Sequence, residues 1–283
     1  MDRRGFEPRT SALPRRLLAS LPDFYRFMTV QRELTENTAS CHYYRVRKFL
    51  RSIPDRPVSQ RTIEEFLSRI SVKSSKAGYL KALKLFFGGF RGERFLVDGF
   101  KYPVPDENPT PCPSDKAVRE VFWALEDPIE QTFYLLCATS GLRRGEIRAL
   151  TPRDVDAELR CIAPGKVRRT KKTGISFYNE EAEELILENV PSLLDGESRA
   201  PVFPKYLRRK QWVRAWEKVG VKVTPQMLRV WFSAKMGELG VQDRYVDIFQ
   251  GRAPRSVLAK YYTPREKLHL KQIYDRAGLR VLD

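Results

Sequence analysis

Thirteen residues, Lys101 to Pro113, carry five prolines and divide the chain in two. Proline fixes φ and removes a backbone donor, so this run is excluded from helix interiors and central strands and reads as an extended linker. A chain of 283 residues has the mass for two ordinary domains. The expected division is a flexible start (1–14), a first domain (15–103), the linker (104–111) and a second domain (112–283).

Before the linker, apolar residues recur at helical spacing over Leu17–Val30, Asn37–Ile53, Thr62–Ile70 and Ser74–Phe87. In the last segment Lys76, Lys81 and Lys84 stand beside Leu80, Leu83 and Phe87, which predicts a helix with a basic and an apolar side. With Lys73 they are candidates for phosphate contact, although a solvated face explains any one of them equally well. Beyond the linker, Ser114 and Asp115 cap a helix through Leu125, and Pro128 opens another to about Ser140. Two short β-prone runs, Arg160–Ala163 and Gly174–Tyr178, flank the basic segment Lys166–Lys172. Asn179 then caps an acidic helix, Thr224 and Pro225 open one ending near Gly240, and Pro264–Ala277 forms the last. Leu268, Ile273 and Tyr274 are its candidate docking residues.

Charge narrows the partner. Fifty-two Lys and Arg against thirty-five Asp and Glu give +17, and 21 basic and 12 acidic residues fall within 1–110, so both halves are basic. A distributed excess of this kind suits a polyanion better than a single basic tail does, with a merely soluble or ribosome-associated basic protein as the plainer reading. At 42% hydrophobic residues the chain is globular in composition. It has no run of 18 apolar residues, and its Arg-rich start lacks a signal peptide's apolar stretch. A soluble cytoplasmic protein without a membrane partner is expected. Cys41, Cys112, Cys137 and Cys161 form no paired motif, and His42 and His269 are the only histidines, so neither a metal nor a cofactor is expected.

Three strings carry chemistry. The first is Ser140-Gly141-Leu142-Arg143-Arg144-Gly145-Glu146-Ile147, followed by Asp154-Val155-Asp156. The second is Thr224-Pro225-Gln226-Met227-Leu228-Arg229, and the third runs from Phe249-Gln250-Gly251-Arg252 to Lys260-Tyr261-Tyr262-Thr263. Together they resemble the arginine boxes and tyrosine ending of the tyrosine recombinases, in family order. The resemblance makes Arg143 and Arg229 the two catalytic arginines and a late tyrosine the nucleophile. Tyr262 is preferred because its position matches the archaeal branch's ending, and Tyr261 is the alternative. The general acid is a lysine between the boxes. Arg169-Thr170-Lys171 resembles the family's hairpin and favours Lys171, with Lys166 and Lys172 kept open. Glu146, three residues beyond Arg143, is placed to orient its guanidinium.

Two positions depart from the family pattern. Gln226 and Arg252 stand where histidines are usual, so both can donate to a phosphate oxygen but neither exchanges protons near neutral pH. The same departures resemble the archaeal virus and plasmid integrases.

The chemistry asks for this set. Negative charge accumulates on the phosphoryl oxygens of a phosphodiester as it is cleaved, and fixed guanidinium donors stabilise it without metal. A tyrosine ester keeps bond energy for religation without ATP.

The resemblance implies a mainly α fold: a two-domain clamp with a helical DNA-binding domain, and a helical catalytic domain holding a small β-hairpin or sheet. It implies site-specific recombination of double-stranded DNA at attachment sites by a homo-tetramer, the C-terminal helix docking onto a neighbour, and no small-molecule substrate. Gly5-Phe6-Glu7-Pro8 is also what GGG TTC GAA CCC encodes, which resembles the T-arm of a tRNA gene and points to integration there. The rival readings are a Xer-like dimer resolvase and a non-catalytic DNA-binding protein derived from a recombinase.

Overall fold

The computed structural model describes residues 11–104, 106, 109–164, 174–196, 198–204, 209–252 and 266–283. They form two compact units, residues 1–108 and 109–283.

Among the described residues, the first unit's regular structure is helical: α1 (Pro14–Ala19), α2 (Leu21–Arg26), α3 (Glu36–Ser52), α4 (Gln60–Ser68) and α5 (Lys73–Leu83). The capping signals are local. The Thr35 side chain accepts from the Thr38 amide to start α3, and Ser59 and Thr62 form a reciprocal capping box that starts α4. Expected as one helix, Leu17–Val30 is instead α1, α2 and a π-helical turn over Phe27–Gln31, broken at Ser20 ahead of Pro22. A second π-helical turn, Lys84–Phe90, extends α5, and the adjacent Phe86 and Phe87 are both fully buried there. Phe24, Phe49, Phe86 and Phe87 interlock edge to face, with Phe24 and Phe86 centroids 5.0 Å apart. Residues 11–14, expected to be loose, are packed: the Ser11 amide donates to the Val58 carbonyl at 2.7 Å, and Pro14 is buried.

Two of the four candidate phosphate lysines are engaged inside this unit. Lys73 pairs with Asp106 at 2.5 Å, and the Lys84 ammonium lies 5.0 Å from the centre of the Tyr102 ring. Lys81 is exposed.

The second unit is built round α7 (Pro128–Ser140), whose residues from Thr132 to Ser140 are all buried. Asp127 caps it through the amides of Ile129 and Glu130, and Gly141 ends it at φ 62°. Round it stand α6 (Asp115–Ala124), the short α8 (Arg144–Ile147), α9 (Glu180–Asn189), α10 (Arg209–Val219), α11 (Pro225–Glu238), α12 (Asp243–Phe249) and α13 (Lys267–Ala277). A three-stranded antiparallel sheet holds β1 (Val155–Asp156), β2 (Cys161–Ile162) and β3 (Ser176–Phe177) in order β1-β2-β3, with Val155 opposite Ile162 and Cys161 opposite Phe177. No described helix is long and apolar enough to cross a membrane.

The last helix docks on its own chain. Tyr274 is buried against Phe177 and Phe249, and its hydroxyl donates to the Thr139 carbonyl at 2.8 Å. Beyond it, the amides of Val281 and Leu282 donate to Glu181 at 2.9 and 2.8 Å. Tyr274 is therefore committed to this unit's core, whereas Leu268 is exposed.

Candidate active site

Arg143 stands at the N-cap of α8, two residues beyond the left-handed Gly141. Its amide donates to one carboxylate oxygen of Glu146 at 2.8 Å, and its Nη1 donates to the other at 2.8 Å. One carboxylate thus fixes both the start of the helix and the plane of the guanidinium, while about a third of the arginine side chain faces solvent. Glu146 takes the orienting place expected of it.

Arg229 lies on α11 and is 3% exposed. Nη1 donates to the Gly141 carbonyl at 2.6 Å and Nη2 to the Gln250 carbonyl at 2.5 Å. These bonds tie α11 to the end of α7 and the end of α12. A Cβ at Gly141 would meet the Phe232 ring at 2.3 Å, so only glycine lets the carbonyl reach Arg229 while Phe232 fills the core. Burial, reinforced by the charges of Arg143 and Arg252, pulls the Arg229 pKa down to about 10, against the opposing pull of Glu146 and Asp247. The guanidinium is therefore still charged at neutral pH, and the two carbonyls that hold it, of Gly141 and Gln250, each lie two residues before another of the arginines, Arg143 and Arg252.

Arg252 follows Gly251, the left-handed residue after α12. Its amide donates to the Asp247 carbonyl at 2.8 Å, and its Nη1 lies 3.6 Å from the Asp247 carboxylate. Gln226 occupies the second position of α11, one turn before Arg229, and its side chain is exposed. Arg143, Arg229 and Arg252 are thus brought together, the first two hydrogen-bonded to fixed acceptors and the third paired with the Asp247 carboxylate. Lys171 with its alternatives Lys166 and Lys172, and Tyr262 with Tyr261, lie outside the described residues.

One described contact bears on the lysine segment. Gly174, three residues beyond Lys171, is pressed against the end of α12, where a Cβ would meet the Ile248 carbonyl oxygen at 1.8 Å and the Gly251 nitrogen at 2.9 Å. The return leg of the β2–β3 connection therefore starts beside the turn that carries Arg252. Among the described residues, no group of histidine, cysteine, aspartate or glutamate side chains is gathered for a metal ion.

The motifs assigned no role to two residues of this cluster. Asp247 reaches Arg252 across a helix end, at a spacing that helical periodicity does not pair. Gln250 is fully buried and its Nε2 donates to the Arg229 carbonyl at 2.6 Å, a polar side chain where the helix otherwise buries Tyr245, Val246 and Phe249.

Comparison with known proteins adds to this geometry. Residues 110–276 match the archaeal phage integrase family. The chain is 27% identical over 267 residues to tyrosine recombinase XerA of Thermococcus onnurineus (strain NA1), covering 86% of this chain and 90% of that protein. It is 26% identical over 277 residues to tyrosine recombinase XerA of Pyrococcus horikoshii, covering 92% and 93%. A lambda integrase dimer bound to a COC′ core site shares the fold at TM-score 0.66 and 14% identity, covering 96% of this chain and 79% of that one.

Proposed function

This chain belongs to the archaeal phage integrase family and is a tyrosine-type site-specific recombinase, and we propose that it integrates a mobile element at a tRNA gene through a covalent 3′-phosphotyrosine. The observation that carries the mechanism is the cluster of Arg143, Arg229 and Arg252, the first two fixed by hydrogen bonds and the third paired with Asp247.

In this reading the arginines and Gln226 donate to the non-bridging oxygens of the scissile phosphate. The Tyr262 oxygen attacks phosphorus and loses its proton to solvent as the bond to the 5′ oxygen breaks. Lys171 protonates that leaving oxygen, an acid role worth roughly 10²–10⁴-fold in typical enzymes. Religation reverses the sequence: a 5′-hydroxyl from the other duplex returns its proton to Lys171 and displaces tyrosine. The guanidiniums are held in place beforehand and need no reorganisation as charge develops, which suits a site with no histidine beside the phosphate.

The test is a nicked suicide duplex built from the gene's own 5′ coding DNA. A covalent adduct on a denaturing gel, lost in Tyr262→Phe and retained in Tyr261→Phe, is the expected outcome. The reverse pattern moves the nucleophile to Tyr261. Sequence-selective binding without any adduct favours the non-catalytic reading, to which Gln226 and Arg252 in the histidine positions give weight. Recoding Gly5–Pro8 with synonymous codons leaves the protein intact and abolishes integration if the attachment site lies there. Unchanged integration removes the tRNA-gene reading. Resolution of plasmid dimers without integration favours a resolvase instead, as the similarity to the XerA proteins suggests.

A further inference from the structure

Resting on the reading that Arg229 holds the scissile phosphate, we infer that Gln250 is a positioning residue that sets the plane of that guanidinium. The two residues are bound reciprocally. The Arg229 Nη2 donates to the backbone carbonyl of Gln250 at 2.5 Å, and the Gln250 Nε2 donates to the backbone carbonyl of Arg229 at 2.6 Å. The first bond aims the guanidinium. The second pins the residue that carries the aiming carbonyl, so the end of α12 cannot rotate away from α11.

The orientation of the amide is fixed by chemistry, because the Arg229 carbonyl only accepts and must face the NH₂ end. Gln250 Oε1 is then buried with no donor among the described residues. A buried acceptor without a partner works against stability, so an apolar side chain of similar length would suit this core position at least as well. What the amide adds is direction. A guanidinium has five N–H donors, and Arg229 commits two of them to the carbonyls of Gly141 and Gln250. The remaining three keep one fixed fan only while both carbonyls hold still. Gly251 and Arg252 follow directly, so the same pin sets where the Arg252 backbone leaves α12.

Gln250→Met separates direction from packing, since it keeps length and the backbone carbonyl and removes only the amide. Three properties of the full chain are measured: thermal midpoint, affinity for the duplex of the 5′ coding DNA, and single-turnover adduct formation on its nicked form. Midpoint and affinity should be unchanged, while adduct formation slows roughly 10- to 100-fold, the scale of a slightly misplaced catalytic group. On the same duplex with a neutral methylphosphonate at the scissile position, the charge that Arg229 offsets is gone, and the loss should shrink to within about threefold. On that duplex Gln250→Met should add nothing in an Arg229→Ala background, as expected of two residues acting as one unit.

Wild-type cleavage by Gln250→Met overturns the inference. So does an equal loss on both substrates, or a rate loss that follows a fall in thermal midpoint. If the unaltered chain forms no adduct on either substrate, the reading of Arg229 fails instead.

Discussion

Arg229 commits two hydrogen bonds to backbone carbonyls, and under the proposed function this makes it irreplaceable by another cation. Lysine carries three donors on one atom at the end of a flexible stem, so it cannot brace against Gly141 and Gln250 while facing a phosphate. Arg229→Lys should slow adduct formation on the nicked duplex roughly 10²–10³-fold while leaving duplex affinity within a few-fold. An unaffected rate would remove Arg229 from the phosphate. The arginines and Gln226 can be put forward from the sequence because each sits in a short local string. The contacts of Gln250 and Asp247 are not legible, although Gln250 stands in one of those strings: the Gln250 partner depends on how the end of α12 meets α11, and Asp247 reaches Arg252 across that helix end. A second residue has a consequence for pH. His42 is buried, and burial together with Arg45 and Lys81 holds its pKa below the ordinary 6.5. A histidine with a depressed folded pKa binds fewer protons folded than unfolded, so its contribution is full above 6.5 and is lost as pH falls. Asp115, Asp156 and Glu126 are held below the usual carboxylate range by hydrogen bonds from Lys235, Lys267 and Lys218, and so do not titrate in that window. The thermal midpoint of the helical signal should drop between about pH 7.5 and about pH 5.5, and His42→Gln should flatten that drop. An equal drop in the variant would place the proton uptake elsewhere.

Elements with strong end signals are readable from the sequence, and elements defined by packing are not. Asp127, Pro128 and Gly141 bound α7 within the sequence itself, and Asn179 does the same for the start of α9. By contrast α10 reads as charged, RKQWVRAWEKV, yet it turns Trp212, Ala215 and Trp216 inward, and the Trp212 indole donates to the buried Glu130 at 2.7 Å. Its apolar stripe is narrow and its lysines and arginines hide it. Strand β1, two residues long, has no signature apart from its pairing with β2. The docking of α13 is likewise set from outside the helix. Tyr274 satisfies the Thr139 carbonyl near the end of α7, where helix carbonyls lack intrahelical partners. Tyr274→Phe keeps the ring and leaves that carbonyl buried without its donor, which should destabilise the unit by about 1–3 kcal/mol. Tyr274→Ala should cost about 3–5 kcal/mol through the cavity it opens beside Phe177 and Phe249. Trp123, Trp212, Trp216 and Trp231 are the chain's only tryptophans and all lie in residues 109–283, so indole fluorescence during urea unfolding reports this unit alone. An unchanged midpoint in Tyr274→Phe would mean that water replaces the lost donor at no cost.

For the whole molecule, charge sets the terms on which it meets DNA. A net +17 spread through the sequence predicts affinity dominated by phosphate contacts and the release of counterions. The logarithm of the binding constant should fall linearly with the logarithm of salt, by about 0.9 for each phosphate neutralised. A footprint of roughly 6–10 phosphates would weaken binding about 10³- to 10⁵-fold between 50 and 200 mM salt. The internal partners of individual lysines refine this expectation. Lys73 is paired with Asp106 and Lys84 lies over the Tyr102 ring, so each must give up an internal contact before it can serve a phosphate. Lys81 is exposed on the same helix and has no such claim on it among the described residues. Lys81→Ala should therefore reduce the salt slope by about 1, equally on the 5′ coding duplex and on an unrelated duplex, because a phosphate contact carries no sequence information. Lys73→Ala and Lys84→Ala should change the slope less. If Lys73→Ala has the larger effect, binding breaks the Asp106 pair and the helix meets DNA by its other flank. If Lys81→Ala alters preference between the two duplexes, Lys81 contacts a base edge in place of the backbone.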